Sequence, residues 1–466
     1  MKLLLLALLA VNMGGIKYLD SSFNVYDRMQ KTVHEYAEPG FLEYKSSALL
    51  ASHLEENGFS VEWGVAEIPT AFIASYGSGK PVIGILAEYD ALPGLSQDTT
   101  AFNSPLAGKE YGHGCGHNLL GTGAVASAVA ISKWLAEGHA GTVKLFGCPA
   151  EENAGAKAFM VRDGYFDGVD CVLAWHPSSV NMIQRNSAIA RIGVVFTFKG
   201  KPAHSAGAPH LGRSALDAVE AFDYMMNLNR EHFPPETKFH YVISNGGEAP
   251  NVVPAEAQAY YFLRHPSVKT LKEVLEWTKK AAEGAALGTG TTVECDVLSG
   301  NYPILINEHL SRMALKNLIK VGGVKLDDRE KAFVDEVKRN SGSTSMGNFS
   351  KFETVRDYFG PIIATGGSDD VGDVSQVVPL FKVNTTVNVA GAHTWQMATL
   401  AGTTIGTKAL INAAKVMYLT AVDLYTKPKE LKAVRDEFES VRGANPHYEP
   451  LMGDRKPPID FYTNQK

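Results

Sequence analysis

The sequence of residues 111–123, YGHGCGHNLLGTG, sets three candidate metal ligands, His113, Cys115 and His117, at alternate positions between glycines. Because alternate side chains of an extended segment point to the same side, we expect Cys115 and His117 to reach one metal ion. The small residues at 122–130 predict a helix directly after this segment. Taken alone, the segment is equally compatible with a glycine-rich turn whose cysteine and histidines only pack against their neighbours.

Further candidate ligands follow predicted buried strands. These strands are short, apolar and bounded by turn residues, and they span residues 70–76, 81–88, 142–147 and 170–174. Glu151 and Glu152 follow the third of them, and His176 follows the fourth. Since ligands bind at the carboxyl edge of the strands in an open α/β sheet, we expect these side chains to meet there. Of two adjacent carboxylates, one suits metal ligation and the other suits proton transfer, although a solvated helix start would have the same sequence.

The pattern changes near residue 190. Between residues 190 and 300 the predicted order is βαββαβ, as in a small ferredoxin-like domain with an antiparallel sheet. The whole chain is too long for one ordinary core, so this segment predicts a domain inserted into a larger α/β domain. The larger domain is expected to have a mostly parallel central sheet flanked by helices. The predicted division is a signal-like segment at 1–15, a catalytic domain at 16–189 and 301–466, and the inserted domain at 190–300.

Helical patterns begin and end the chain. Tyr26, Met29, Val33 and Tyr36 lie on one stripe of a predicted helix, and residues 46–57 predict a second helix. The alanine-rich residues 402–425 predict a long helix, whereas the polar residues 339–350 predict a loop.

Composition excludes several classes of function. The chain has 466 residues, of which 45% are hydrophobic and 20% charged, as in globular enzymes. Its net charge of -6 provides no basic surface for nucleic acid. Four cysteines in a chain of this length indicate thiols rather than a disulfide scaffold.

Residues 1–11, MKLLLLALLAV, have the outline of a short secretory signal but are too few to span a bilayer, so we expect no membrane association. The residues that follow form a poor cleavage site. A thiol ligand is also more easily kept reduced in the cytosol. We therefore expect a cytoplasmic protein, with export as the alternative.

Four motifs, in order along the chain, indicate a family. They are EYAEPGF at 35–41, EYDALPGLSQ at 88–97, GHGCGHNLLGTG at 112–123 and DVGDVSQVVP at 370–379. Together with the glutamates and histidines described above, they resemble the aminoacylase/carboxypeptidase-like family of dinuclear metallohydrolases, in the amidohydrolase branch where a cysteine replaces the bridging aspartate. The resemblance covers nearly the whole chain from about residue 16. It implies a hydrolase that acts on C–N amide bonds.

The resemblance also implies roles for single residues. Two divalent ions, zinc or manganese, are expected, with Cys115 as the thiolate that contacts both. The remaining ligands would be His117, Glu152, His176 and His393, and Glu151 would be the general base. In the inserted domain, His204 would hold the substrate carbonyl oxygen, generally across a dimer interface. Asn251 and Arg264 would bind the carbonyl or carboxylate of the substrate.

Some residues depart from the family pattern. The residues before His393 read VAGA where the family has Gly-x-Pro-Gly, so we expect a different loop shape but the same ligand. The run Ser368, Asp369 and Asp370 is close to the acidic turn of the family, and we expect no more than a supporting role for it. His113 matches no ligand, and we expect it to pack or to support the ligands.

These assignments predict hydrolysis of a small N-acyl or N-aroyl amino acid, with p-aminobenzoyl-glutamate as the leading substrate. The planar guanidinium of Arg264 suits a free α-carboxylate on the leaving amino acid. One alternative is an amidohydrolase for another N-acyl amino acid or a dipeptide. The other is a non-catalytic partner subunit, against which the presence of Glu151 and all the ligands argues. The resemblance implies a homodimer, or a heterodimer with a homologous subunit, formed through the inserted domain.

Overall fold

The structure is a computed structural model that describes residues 14–343, 346–357, 361–364, 367–443 and 448–460. Most of the predicted signal-like segment therefore lies outside the described residues, as do residues 344–345 of the predicted loop and the start of the glycine run at 366–367. The strands are β1 Ser60–Trp63, β2 Phe72–Ser78, β3 Val82–Ala87, β4 Leu92–Pro93, β5 Tyr111–Gly112, β6 Gly141–Gly147, β7 Cys171–Ser178, β8 Met182–Ile183, β9 Ala190–Lys199, β10 Lys238–Asn245, β11 Glu256–His265, β12 Thr292–Asn301 and β13 Leu380–Thr386.

Helices separate most of these strands. The longer ones are Phe23–Tyr36, Tyr44–Glu56, His117–Ala136, Ala156–Arg162, Ala215–Leu228, Val268–Thr289, Glu308–Val321, Asp328–Asn340, Trp395–Ala401, Thr404–Thr426 and Pro428–Arg442. The short ones are Val65–Glu67, Pro209–Leu211, Asn229–Glu231, Ser350–Glu353 and Val371–Ser375. Residues 14–21 are helical as well.

A seven-stranded sheet forms the centre of the larger domain, in the order β1-β2-β6-β3-β7-β13-β8. Its four middle strands, β6, β3, β7 and β13, run parallel, whereas β1, β2 and β8 add antiparallel edges. The predicted mostly parallel central sheet is therefore confirmed. Because the four parallel strands end at the same edge, the residues at their carboxyl ends converge there.

The helix His117–Ala136 packs on this sheet against β3, β6 and β7, and nearly all of its residues are buried. It is long and apolar enough to cross a membrane, but here it is the core helix of the domain. Two glycines allow it to lie close to the sheet. A Cβ atom on Gly121 would come within 2.7 Å of the Glu88 carbonyl oxygen, and one on Gly123 within 2.8 Å of the Trp175 ring. The close packing brings the first turn of the helix to the carboxyl edge of the sheet.

A second, antiparallel sheet has the order β10-β11-β9-β12 and carries the helices Ala215–Leu228 and Val268–Thr289. Alternate residues of its central strands form a core with these helices, including Val194, Phe196, Tyr261 and Leu263. The residues between them point to the opposite face of the sheet. This is the βαββαβ order that the sequence predicts. The sheet extends from Ala190 to Asn301, while the division of the chain into domains stays a prediction.

The local geometry differs from the prediction at the first ligands. Gly116 has a φ of 83°, in the left-handed region that favours glycine, and the helix already begins at His117. The prediction that Cys115 and His117 share an extended segment is therefore wrong. The helix begins early because Gly116 provides the turn and because Nδ1 of His113 accepts the backbone N–H of Asn118 at 3.2 Å.

Two further segments also differ from the prediction. His176 lies within β7 rather than after its end, because β7 continues in parallel pairing with β13 as far as Ser178. The helix Asp328–Asn340 covers the first two residues of the predicted loop at 339–350, and a capping box at Asp327 and Glu330 stabilises its start.

Candidate metal centre

A thiol and two imidazoles meet at the carboxyl edge of the central sheet. Sγ of Cys115 lies 3.4 Å from Nε2 of His176, and both are within 4.8 Å of a ring nitrogen of His117. Nδ1 of His176 donates to the carbonyl oxygen of Pro177 at 2.6 Å, which leaves Nε2 to face the thiol. Burial lowers the pKa of His176 to about 3. The imidazole is therefore neutral, which is the form that binds a metal.

Glu152 and His393 form a second group with the same thiol. Nε2 of His393 lies 3.3 Å from Oε2 of Glu152, and the ligand atoms of Cys115, Glu152 and His393 are within 4.8 Å of one another. The backbone N–H of His393 donates to the carbonyl oxygen of Gly114 at 2.8 Å, so the loop of the last ligand is fixed to the segment that carries Cys115. The two groups share Cys115, which is the arrangement that a bridging thiolate requires.

Asp90 orients two of these ligands, a role that the sequence did not reveal. Its Oδ1 lies 2.8 Å from Nδ1 of His117, and its Oδ2 accepts the backbone N–H of Glu152 at 3.0 Å. Nε2 of His117 then points into the site, where it is buried without a hydrogen-bond partner in the described part of the chain. Burial opposes protonation of His117, but the charges of Cys115 and Asp90 outweigh it and raise the pKa of this imidazole. A metal ion would take the place of that proton.

Glu151 lies beside the ligands. Its Oε2 is 3.9 Å from Nε2 of His117, and Oε1 of Glu152 is 4.0 Å from the same nitrogen. Both adjacent carboxylates therefore face one imidazole. Burial, followed by the charge of Glu152, raises the pKa of Glu151 well above its usual range. A carboxyl group with a raised pKa beside a metal site is suited to proton transfer.

Glu43, which follows the EYAEPGF motif, fixes the loop that carries Glu151 through a hydrogen bond to its backbone. Ala150 has a φ of 56°, a conformation that costs energy for a residue other than glycine. The buried carboxylate of Glu43 accepts the backbone N–H of Ala150 at 2.8 Å and the hydroxyl of Thr70 at 3.0 Å. A Cβ atom on Gly40 would come within 2.8 Å of Ala150, so this glycine provides the space for the turn.

A buried ion network supports the site from the other side. Nζ of Lys157, which is fully buried, lies 2.7 Å from Oε1 of Glu88 and 2.5 Å from Oδ1 of Asp370. The other oxygen of Glu88 is 3.3 Å from Nε2 of His117. Burial opposes ionisation of Glu88, but the charges of Lys157, His117 and Lys382 together outweigh it and lower the pKa of this carboxyl. Lys382 forms an ion pair with Asp369, the residue before Asp370.

The residues fit a pair of divalent cations. The carboxyl groups of the site are those of Glu88, Asp90, Glu151, Glu152, Asp369 and Asp370, and the cations around them are Lys157 and Lys382. A buried excess of negative charge needs a bound cation or protonation. Nε2 of His117 and Oε1 of Glu152 are buried without hydrogen bonds among the described residues, and metal ions would satisfy both. Thiolate, imidazole and carboxylate are ordinary ligands of zinc.

The predicted substrate residues lie farther from this group. Arg264 donates to Oγ of Ser368 at 2.6 Å and thus reaches the acidic turn. His204 and Asn251 are both exposed on neighbouring segments of the inserted domain, where the N–H of Ser205 donates to the carbonyl of Asn251 at 3.1 Å. Neither has a hydrogen bond or ion pair with the candidate ligands in the ranges that the structure describes.

The chain resembles known proteins over most of its length. A family model described as "Peptidase dimerisation domain" matches residues 185–289. The chain is 39% identical over 453 residues to one of the subunits of p-aminobenzoyl-glutamate hydrolase from Escherichia coli (strain K12), an alignment that covers 91% of this chain and 94% of the relative. This chain belongs to the M20 family of dinuclear metallopeptidases. As an M20 protein it is a hydrolase that acts on amide bonds, and the predicted family is confirmed.

Other relatives are less similar to this chain. The chain is 28% identical to "Xaa-Arg dipeptidase" of Homo sapiens over 444 residues, which are 90% of each chain. It shares its fold with a dinuclear metal binding peptidase of the M20 family from Bacillus subtilis, with a TM-score of 0.54, 19% identity and coverage of 86% of this chain and 99% of the other.

Sequence reasoning missed several residues of this M20 site. Glu88 and Asp90 stand at the end of a predicted strand, and that position could have marked them as site residues. No comparable feature of the sequence indicates Lys157, because it lies in an ordinary helix and its partner Asp370 is distant in sequence. Nε2 of His113, which we expect to pack or to support the ligands, faces the carbonyl oxygen of Val33 at 3.1 Å.

Proposed function

We propose that this M20 hydrolase cleaves the amide bond of N-acyl or N-aroyl amino acids, with p-aminobenzoyl-glutamate as the leading substrate. The observation that carries the proposal is one constellation of five candidate ligands around a carboxyl group with a raised pKa. The ligands are Cys115, His117, Glu152, His176 and His393, and the carboxyl group is that of Glu151. The name of the Escherichia coli relative supports the choice of substrate.

The residues divide the chemistry among them. When bound, the two divalent ions supply acidification of a water molecule and polarisation of the scissile carbonyl. Glu151 would accept a proton from the attacking water and return it to the leaving nitrogen, since an amide nitrogen must be protonated to depart. Asp90 keeps Nε2 of His117 directed into the site and holds the backbone of Glu152 in place. The ligands are thus positioned before the substrate arrives.

Arg264 is proposed to bind the α-carboxylate of the leaving amino acid. Its guanidinium is a planar fork that matches a carboxylate, and it belongs to no ion pair in the described part of the chain. The name of the human relative supports a dipeptidase as the second candidate. A leaving arginine would place a second cation near Arg264, so a substrate with an acidic leaving residue is favoured over Xaa-Arg.

A second subunit is proposed to complete the site. His204 is exposed on the inserted domain, and the matching family model is described as a dimerisation domain. We propose that His204 of a second copy, or of a homologous subunit, donates to the substrate oxygen as charge develops on it. One such donor contributes about 3 to 4 kcal/mol to the transition state. Asn251, next to it, would contact the same carbonyl.

We also propose the identity of the metal and the cellular compartment of the enzyme. Thiolate and imidazole ligands favour zinc, while the carboxylate of Glu152 is also compatible with manganese. Cys115, Cys148 and Cys171 are buried free thiols, and such thiols are common in reducing compartments. We therefore propose a zinc or manganese enzyme of the cytoplasm.

The test is a substrate panel with the purified chain. The chain is loaded with zinc or manganese, and release of glutamate from p-aminobenzoyl-glutamate is measured beside N-acetyl amino acids and dipeptides that include Xaa-Arg. We expect p-aminobenzoyl-glutamate to have the highest kcat/KM. Cleavage of only the other amides would support the proposed mechanism and contradict p-aminobenzoyl-glutamate as the substrate. Absence of all turnover from a metal-loaded chain would contradict a second copy of this chain as the subunit that completes the site.

A further inference from the structure

Two arginines stand side by side on the inserted sheet. Arg191 of β9 and Arg264 of β11 are directly opposite each other in antiparallel pairing. Both point to the face away from the helices, because Ile192 and Leu263, their neighbours in sequence, belong to the helix-facing core. Like charges that are directly opposite in a sheet repel each other and destabilise the pair. The arrangement therefore needs a compensating interaction.

No aspartate or glutamate in the described ranges provides it. In the ranges that the structure describes, neither arginine forms an ion pair, and these ranges include every aspartate and glutamate of the sequence. Arg191 is only 7% exposed, yet its hydrogen-bond acceptors are neutral: Nε donates to Oδ1 of Asn301 at 3.0 Å and Nη2 to the carbonyl oxygen of Asn153 at 3.3 Å. Burial, followed by the charge of Arg191, lowers the pKa of Arg264 to about 10, so its guanidinium is still charged at neutral pH. A buried charge without a counter-ion is unfavourable.

The pair also contacts two loops of the metal centre. Asn153, which touches Arg191, comes directly after Glu151 and Glu152, and Ser368, which touches Arg264, comes directly before Asp369. The ring of Phe262 packs against both guanidinium groups, with its centre 4.7 Å from the central carbon of Arg191 and 5.6 Å from that of Arg264. The two arginines thus stand between the inserted sheet and two loops of the metal centre.

We propose that Arg191 and Arg264 bind the two carboxylates of a dicarboxylic leaving amino acid, which makes Arg191 a specificity-determining residue. This inference rests on the proposed function and names the class of its leaving group. Nη1 of Arg191 and Nη2 of Arg264 make no hydrogen bond to the described residues, so each guanidinium has donors to offer. The Cβ atoms of directly opposite residues are about 5 Å apart, a spacing suited to the two ends of a short diacid.

The experiment compares two substrates that differ only in the charge of the side chain. These are p-aminobenzoyl-glutamate and p-aminobenzoyl-glutamine, both of which retain the α-carboxylate. For the wild-type chain we expect kcat/KM to be about 10- to 100-fold higher for the glutamate substrate, since a hydrogen bond to a charged group is lost with glutamine. The Arg191→Gln variant should lose this preference, because its activity falls with the glutamate substrate and changes little with the glutamine substrate.

Two matched variants serve as controls. Lys199→Gln removes a cation from an exposed position on the same strand and the same face, and it should leave the preference unchanged. Arg191→Lys keeps the charge but not the planar fork, so it should retain part of the preference. Thermal unfolding of each variant shows whether it is folded.

Binding to the wild-type chain gives a readout that depends neither on turnover nor on a variant. L-glutamate should raise the unfolding temperature of the metal-loaded protein more than L-glutamine does at equal concentration. Equal stabilisation by the two amino acids, or equal kcat/KM for the two amides, would overturn the inference while leaving amide hydrolysis intact. If Arg191→Gln lowered the activity on both amides alike, Arg191 would only hold the loop of Asn153. If neither amide were cleaved, the proposed substrate would be wrong, and the glutamate and glutamine comparison would still decide the role of the pair.

Discussion

Replacing Lys157 by methionine should destabilise the larger domain strongly. The side chain of Lys157 is fully buried, and its ammonium group is the cation that contacts both Glu88 and Asp370. Methionine has a similar length and fills the same space, so the change removes the charge without creating a large cavity. Two buried carboxylates would then lack their counter-ion.

The size of the effect follows from the burial of all three groups. Glu88 and Asp370 are at most 2% exposed, so water cannot replace the lost partner. Removing one member of a buried ion pair costs about 3 to 5 kcal/mol, because an uncompensated charge remains. The free energy of unfolding should fall by this amount in urea titrations followed by circular dichroism, with chelator present so that bound metal does not contribute.

Two further variants make the measurement specific. Lys456→Met removes an exposed lysine that pairs with Glu67 at the surface, and it should change the stability little. Lys157→Met combined with Asp370→Asn removes one of the unpaired carboxylates and should recover part of the loss, since the two residues are in direct contact. A loss below about 1 kcal/mol for Lys157→Met, or no recovery in the double variant, would refute the charge-compensation argument.

The remaining predictions concern the metal centre. Glu151→Gln should leave the metal content intact and lower kcat by about 10²- to 10⁴-fold; near-normal turnover would show that another group is the base. Cys115→Ser should reduce the metal bound per chain, measured by elemental analysis after dialysis, whereas Cys171→Ser, a buried thiol elsewhere, should not; full metal retention in Cys115→Ser would contradict the bridging role. Asp90→Asn should weaken metal affinity about 10- to 100-fold because His117 loses its carboxylate partner; an unchanged affinity in a chelator competition would contradict that role.

The sequence by itself determined the ligand types and the positions along the chain of the long strands other than β13. Cys115, His117, Glu152 and His176 could be named as candidates because metal binding demands side chains with specific chemistry, and these occur in short local motifs. β3, β6 and β7 were predictable because a buried parallel sheet needs short, continuous apolar segments bounded by turn residues, whereas β13 was not predicted. Both kinds of information lie in short segments, so they can be obtained from the sequence without knowledge of the fold.

Local reasoning was wrong where one backbone angle decided the geometry. Cys115 and His117 come together through a left-handed turn at Gly116 rather than along an extended segment. A glycine adopts either conformation at similar cost, so the sequence did not distinguish them. The packing of the helix His117–Ala136 against the sheet selected the turn.

The tertiary structure alone decided which charged side chains meet. Lys157 and Asp370 are 213 residues apart, and Arg191 and Arg264 meet only because β9 pairs with β11 in one register. Lys157 and Arg191 are ordinary in their own segments, and their importance comes from burial and from the distance to a charge that another element provides. Electrostatic energies depend on the distance between charges and on the exclusion of water, and neither can be derived from the local sequence.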